Sequence, residues 1–234
     1  MNREIYTKES GEYLKNNPLW HSEDSQWKAQ QILKMIERHR LKPTNILEIG
    51  CGVGEILNHL YHSLPEHCLL KGVEISPDAL SLAKTKEKER LNFQHTDEFE
   101  TGNTIDLSLM IDVFEHVDDY LGFLQKWRKE SEYSIFHIPL DLSSQAILRG
   151  KLEERRKNYG HLHYFTKATA LLTLEDAGYQ IIDHFYTNSS NEGTIHSKKQ
   201  ALAILPRKLL AAINQDLAAN LLGGFSLMVL TRNQ

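Results

Sequence analysis

Two rhythms of apolar residues alternate along the chain. Short, nearly continuous apolar runs fall at 45–49, 69–75, 91–94, 105–111, 133–138, 179–185 and 225–231. Runs of this length, bounded by Gly, Pro or polar clusters, read as strands. Between them the apolar residues keep helical spacing: Ala29, Ile32, Leu33 and Ile36; Ile56, Leu57, Leu60 and Leu64; Leu121, Leu124 and Trp127. Capping residues mark the helix starts: Asp24 or Ser25, Ser76-Pro77-Asp78, Asp118-Asp119 and Thr166. Pro43 is expected to stop the first helix and Gly178 the one that begins at Thr166. From 187 to 200 the chain is polar and reads as a loop. A helix over 206–222, with Leu210, Ile213, Leu217 and Leu221 inward, is expected to end at Gly223-Gly224. The last run alternates enough for a sheet edge or a hairpin partner. Strands alternating with helices up to Gly178, then two late strands, predict an open α/β sheet.

Composition narrows the classes. The 234 residues suffice for one large domain or one and a half ordinary ones, with 41% hydrophobic and 25% charged residues. A formal net charge of −4 argues against a general nucleic-acid surface. Cys51 and Cys68, the two cysteines, form no disulfide or metal pattern, which suits a reducing cytosol. No apolar run reaches membrane-spanning length and no signal-peptide core is present, so a cytoplasmic protein is expected.

The chemistry concentrates in Glu48-Ile49-Gly50-Cys51-Gly52-Val53-Gly54-Glu55, a strand end, a glycine turn and a helix start. Alternating glycines permit positive φ and let a ligand lie against bare backbone. The dinucleotide fingerprint G-x-G-x-x-G fails because Glu55 stands where its third glycine belongs, which disfavours an NAD-dependent oxidoreductase. A phosphate loop would need a Lys after its last glycine, and none is there. What remains is E-x-G-x-G-x-G. Twenty residues past Gly54, Glu74 ends the second strand, a spacing that suits an acceptor for a ribose diol. Further on stand His95-Thr96-Asp97, then Asp112-Val113-Phe114-Glu115-His116-Val117-Asp118-Asp119 after the fourth strand, and Gly160-His161-Leu162-His163-Tyr164-Phe165-Thr166 before a helix.

The glycine turn with Glu48, the acid at Glu74 and the D-V-F-E-H-V-D-D run together resemble the class I S-adenosylmethionine (SAM) dependent methyltransferases. Within that family the likeness is to small-molecule enzymes such as the quinone-biosynthesis group. It covers roughly residues 44 to 232. It implies a Rossmann-like open sheet of seven strands in the order 3-2-1-4-5-7-6, the seventh antiparallel, with helices on both faces. It implies SAM as cofactor, over a floor of Gly50, Gly52 and Gly54. A carboxylate at Glu48 is tolerable because SAM has no phosphate, and favourable toward a sulfonium and an ammonium. Glu74 would hold the ribose, Asp97 the adenine amine, and Asp112 would sit beside the methionine part. Glu115, His116 and His161 would border a small-molecule acceptor. If the acceptor must lose a proton, His116, His161 and His163 are the candidate bases, in that order. The His161-x-His163 pair could also ligate a metal, but no third ligand at a recognisable spacing accompanies it, so none is expected. Residues 1–43 form an N-terminal helical segment, either a lid over the cofactor or an ordinary packing helix anchored by Trp27. Residues 44–234 form the methyltransferase domain, with an insert around 188–223. A non-catalytic module of the same fold, supporting a partner enzyme, is the rival reading.

Overall fold

The structure is a computed structural model and describes residues 24–100, 104–188 and 198–233, with side chains left aside at 198–205. The expected loop at 187–200 and the polar N-terminal stretch with Tyr6, Tyr13 and Trp20 fall largely outside them. In chain order the elements are α1 (Ser25–Arg38), β1 (Asn45–Ile49), α2 (Glu55–Tyr61), β2 (Leu69–Glu74), α3 (Pro77–Lys84), β3 (Leu91–His95) and β4 (Ile105–Ile111). Then come α4 (Tyr120–Arg128), β5 (Ser131–Pro139), α5 (Ser144–Leu148), α6 (Lys151–Tyr159), α7 (Lys167–Asp176), β6 (Tyr179–Thr187), α8 (Lys198–Ile213), α9 (Gln215–Leu222) and β7 (Ser226–Asn233).

All seven strands form one sheet in the order β3-β2-β1-β4-β5-β7-β6. β1 to β5 pair in parallel, and β7 runs antiparallel to both β5 and β6. This is the order that the sequence resemblance implies. β7 is therefore an interior strand, and Leu227 to Thr231 are all buried. An edge strand would have needed a wet face; two neighbours and two covered faces leave none.

The sheet separates two apolar cores. Leu47, Ile49, Phe136, Ile138, Leu227 and Val229 point to one face, where Trp127 and Phe114 cover them. Ile46, Ile135, Met228 and Leu230 point to the other, against α1 and α2 through Ile32, Met35, Leu57 and Leu60. Neighbouring residues of a strand thus enter opposite cores, as the period of two requires.

Local capping follows the sequence. Ser76 Oγ accepts the Ala79 amide with Pro77 behind it, Asp119 accepts the Gly122 amide, and Thr166 exchanges bonds with Thr169. Several expectations change. α1 ends at Arg38, before Pro43, and Arg40 takes a φ of 52°. Leu121 lies at the surface, leaving Leu124 and Trp127 as the inward residues of α4. The helix expected over 206–222 is two helices. Pro206 lies inside α8, and Asn214 interrupts the run by capping α9 through the Leu217 amide. Ile213 ends α8 at 83% exposure, and the new axis of α9 leaves Leu217 and Leu221 half-exposed, while Ala218 and Ala219 are buried instead. Among the described residues no helix is long and apolar enough to cross a membrane.

Phe136 has no exposed surface and meets Tyr179 edge-on at 5.1 Å between ring centroids. Truncating a buried Phe removes transfer energy and leaves a cavity, so Phe136→Ala is expected to cost about 3–5 kcal/mol. Urea unfolding followed by circular dichroism checks this; a loss under about 1 kcal/mol would mean that the site collapses around the missing ring.

Candidate active site

A cavity of about 680 Å³ opens at the C-terminal ends of the parallel strands, where open α/β sheets take ligands. Its floor is the turn after β1. Gly50, Gly52 and Gly54 have φ of 72°, 53° and 79°, a region costly for side-chain-bearing residues. Their surroundings differ. A Cβ on Gly50 would stand 2.9 Å from Val113, and one on Gly54 2.5 Å from Phe93, so both are glycines of close packing. Gly54 caps α2 and lies outside the cavity lining. A Cβ on Gly52 would meet nothing within 4 Å. Gly52 is the bare backbone that faces the cavity.

Glu74, at the tip of β2, secures this turn. One carboxylate oxygen accepts the Gly52 amide at 2.8 Å, and the other accepts the amides of Ile75 and Ser76 at 2.8 Å each. Burial pushes its pKa up against the pull of those amides, with a net rise. Asp97 stands in the short turn after β3 with its side chain half in solvent, at the cavity edge.

Deeper in, buried carboxylates gather around one ammonium. Lys28 reaches from α1 to Asp112 at 2.8 Å. Burial, the largest influence, lowers the Lys28 pKa, but the charge and hydrogen bond of Asp112 with the charges of Asp24 and Glu115 together raise it. Asp112, at a φ of 56°, also accepts His137 Nδ1 at 2.6 Å. Burial opposes its charge, yet His137 and Lys28 together hold the carboxyl far below the usual range. His137 Nε2 in turn takes the Thr187 hydroxyl at 2.9 Å. Glu48 is 1% exposed with one oxygen unpartnered. Burial raises its pKa well above normal despite Lys28. Trp27 lines the cavity and packs edge-on to His137 at 6.1 Å, so it is a wall of the site rather than a core anchor.

The far wall joins two segments 45 residues apart in sequence. The Glu115 carbonyl accepts the amides of Leu162 and His163 at 2.8 and 3.1 Å. This stitch brings the His116 and His161 rings to 4.8 Å, edge to face. His161 Nδ1 donates to Asp141 at 2.5 Å, and His116 Nδ1 donates to the Gly160 carbonyl at 3.2 Å. Each ring is thereby left with Nε2 as its second functional nitrogen. Asp141 also binds Arg155 at 2.7 Å. The Glu115 carboxylate is fully buried and neither oxygen has a hydrogen bond. Burial, then the nearby Asp112 charge, pushes its pKa well up. His163 does not reach the cavity: Nε2 bonds the Val117 carbonyl at 2.9 Å and the ring packs on Tyr120. One ligand atom each of Glu115, His116 and His161 lie within 4.8 Å of one another, and two imidazoles with a carboxylate have the donor chemistry for a divalent cation. The ligand-like set is thus not the sequence pair His161-x-His163. Lys28, His137, Asp141 and Arg155 were not singled out from the sequence. Asp141, after the fifth strand, carried a positional signal; the other three are placed by tertiary contacts alone.

An acid whose pKa is raised on folding stabilises the fold fully only below its unfolded pKa, about 4.3 for Glu, and loses that contribution as pH climbs toward the folded value. Glu115→Gln removes the loss. The variant is expected to gain on the wild type as pH rises above the unfolded Glu pKa of about 4.3, by about 2–4 °C in Tm per kcal/mol, and to converge with it near pH 4. A melting series across that range checks it; a pH-independent difference would show that the carboxyl is not held protonated.

A family model described as a methyltransferase domain matches residues 19–184. Norajmaline N-methyltransferase of Rauvolfia serpentina is 33% identical over 93 residues, 36% of this chain and 31% of that protein. The chain thus aligns with about a third of that curated relative's length. The magnesium protoporphyrin IX methyltransferase of Synechocystis PCC 6803, solved with SAH, has a TM-score of 0.59 and 14% identity, covering 89% of this chain and 83% of its own. A SAM-dependent methyltransferase from Aquifex aeolicus has a TM-score of 0.60 and 15% identity, covering 95% and 98%. At such identities the solved structures speak for the fold. The family match spans well over half of the sequence and contains the glycine turn, Glu74 and the Glu115–His161 wall: the chain belongs to the methyltransferase domain family.

Proposed function

We propose that this protein is a SAM-dependent methyltransferase that acts on a small-molecule acceptor in the cytoplasm. The observation that supports this most is Gly52, open to a large cavity whose walls are acidic. Such a cavity suits a ligand that is cationic and carries no phosphate. The negative net charge favours a small acceptor over nucleic acid, and two free buried cysteines agree with a reducing compartment.

The residues fit the cofactor part by part. Gly52 leaves room along the turn. Glu74 spends three lone-pair sites on amides, and a carboxylate offers about four, so one remains for a ribose hydroxyl. Asp97 at the rim is available to the adenine amine. Asp112 is held ionised, the state that receives an ammonium. When bound, SAM supplies a methyl group on a positively charged sulfur, already activated for displacement. The protein then has to align the acceptor and exclude water, an effect worth up to about 7–11 kcal/mol. For an acceptor that must lose a proton, His161 and His116, both in the cavity lining, are the candidate bases. Asp141 fixes the tautomer and orientation of His161, which places it ahead of His116. Such a base contributes typically 10²–10⁴-fold.

Calorimetric titration with SAM tests the reading. Gly52→Val should abolish binding in a folded protein, since the side chain fills the ligand's space. Glu74→Gln should weaken binding by one to two powers of ten, roughly 1.4–2.8 kcal/mol. Wild-type affinity in both variants would sink the assignment. Tight binding without turnover on any acceptor would favour the rival non-catalytic module.

With an acceptor in hand, pH profiles of turnover separate the histidines. His161→Gln is expected to lose 10²-fold or more with SAM affinity intact, and His163→Gln to stay within a few-fold. If all three histidine variants keep near-normal turnover, alignment alone carries the reaction.

A further inference from the structure

Behind the Glu115–His161 wall lies a second cavity of about 250 Å³, between α5, α6, Arg207 of α8 and the Gly223-Gly224 turn. Its charge is opposite to that of the first. Arg149, Lys151, Arg155 and Arg207 line it, against Asp141 and Glu154. Both acids are already engaged: Asp141 with Arg155 and His161, and Glu154 with Lys151. Arg149 and Arg207 have no ion-pair partner among the described residues. Arg149 feels Glu154 only through space, and four basic residues against two acids leave this small concavity net positive on a chain of net charge −4.

Arg207 is built into the wall rather than waving over it. Its Nε is shielded from solvent and has no acceptor, and burial disfavours its charge. Its guanidinium lies flat against Gly224, where a Cβ would come within 2.9 Å of its central carbon. Gly223 is similarly tight, with a Cβ position 2.6 Å from Ser143 Oγ. Only a glycine pair lets the backbone close on both side chains. Arg207 comes from α8, beyond the sixth strand and beyond the residues 19–184 that the family model matches. The two cavities are neighbours: Arg155 and Tyr159 line both, and Asp141 in the second holds His161 in the first.

We infer that the second cavity seats an anionic substituent, a carboxylate or phosphate, of the methyl acceptor whose reacting atom stands at His116 and His161. A planar guanidinium matches such oxyanions with paired hydrogen bonds, and it discriminates strongly against a neutral analogue that leaves it unpaired. The inference rests on the methyltransferase reading for the acceptor, but the oxyanion site itself can be tested alone.

The first measurement titrates inorganic phosphate and acetate into the wild type, Arg207→Gln and Arg149→Gln by NMR, with SAM calorimetry on the same samples. The wild type should bind at least one of these anions, and each variant should bind it at least tenfold more weakly, with melting temperature and SAM affinity unchanged. No saturable binding to the wild type, or equal binding to all three proteins, overturns the site. Loss of SAM binding by the wild type would instead indict the methyltransferase reading while leaving the anion result readable. The second measurement compares methyl transfer to acceptors presented as matched carboxylates and primary amides. The carboxylates should be preferred at least tenfold in kcat/KM, and Arg207→Gln should erase the preference. An anion that binds with no such preference overturns the acceptor assignment and makes the pocket a site for a free anion.

Discussion

The ion cluster around Asp112 governs the ligand-binding end of the sheet. Asp112 leaves β4 in a left-handed conformation that an L-residue adopts only at a cost of order 1–3 kcal/mol. Lys28 and His137 hold it there, and Thr187 holds His137. Four separate parts of the chain, α1, the end of β4, β5 and the end of β6, therefore meet at one carboxylate. Breaking such a buried set by removing one partner leaves a charge uncompensated, typically about 3–5 kcal/mol. This gives α1 a definite place over the cavity through Lys28 and Trp27.

The same cluster sorts the neighbouring carboxyls by charge. Asp112 is kept ionised, and its field adds to burial in pushing Glu115 toward the neutral form. Glu48 is pushed the same way by burial, with Lys28 opposing. Acids in one cavity with divergent pKa values can take different roles at one pH. Asp112 is held toward its charged form, while burial and that charge push Glu115, beside two imidazoles, toward its neutral form. Glu74 shows a third use of a carboxylate. Its oxygens anchor the amides that shape the glycine turn, so the acid organises the floor as well as offering a lone pair to a ligand.

Much of this was legible in the sequence because it depends on local rules. Strand and helix identity, the caps at Ser76, Asp119 and Thr166, and the positive φ of the glycine turn each follow from a few neighbouring residues. The misreadings share one cause. Ile213, Leu217 and Leu221 fit a helical stripe only if one axis runs from 206 to 222, and Asn214 competes for the Leu217 amide and starts a new axis. The alternation in β7 carried no information about two neighbouring strands. The metal-like spacing of His161 and His163 drew attention to a pair that the irregular backbone of 160–166 separates, His161 turning to Asp141 and His163 to the Val117 carbonyl.

The sequence by itself determined the sheet elements, the turn with its three glycines, and the set of acids and histidines at the strand ends, because periodicity and backbone conformation are encoded locally. The tertiary structure alone decided that Gly50 and Gly52 line the cavity, Gly52 with open space and Gly50 tight against Val113, while Gly54 packs outside it, and that Lys28 opposes Asp112. It also decided that His161 pairs with Asp141 and faces His116 while His163 turns away. These are contacts between residues from twenty to more than eighty positions apart. Their geometry is set by how α1, the 160–165 segment and the final helices close over the sheet, and no short-range pattern specifies that closure.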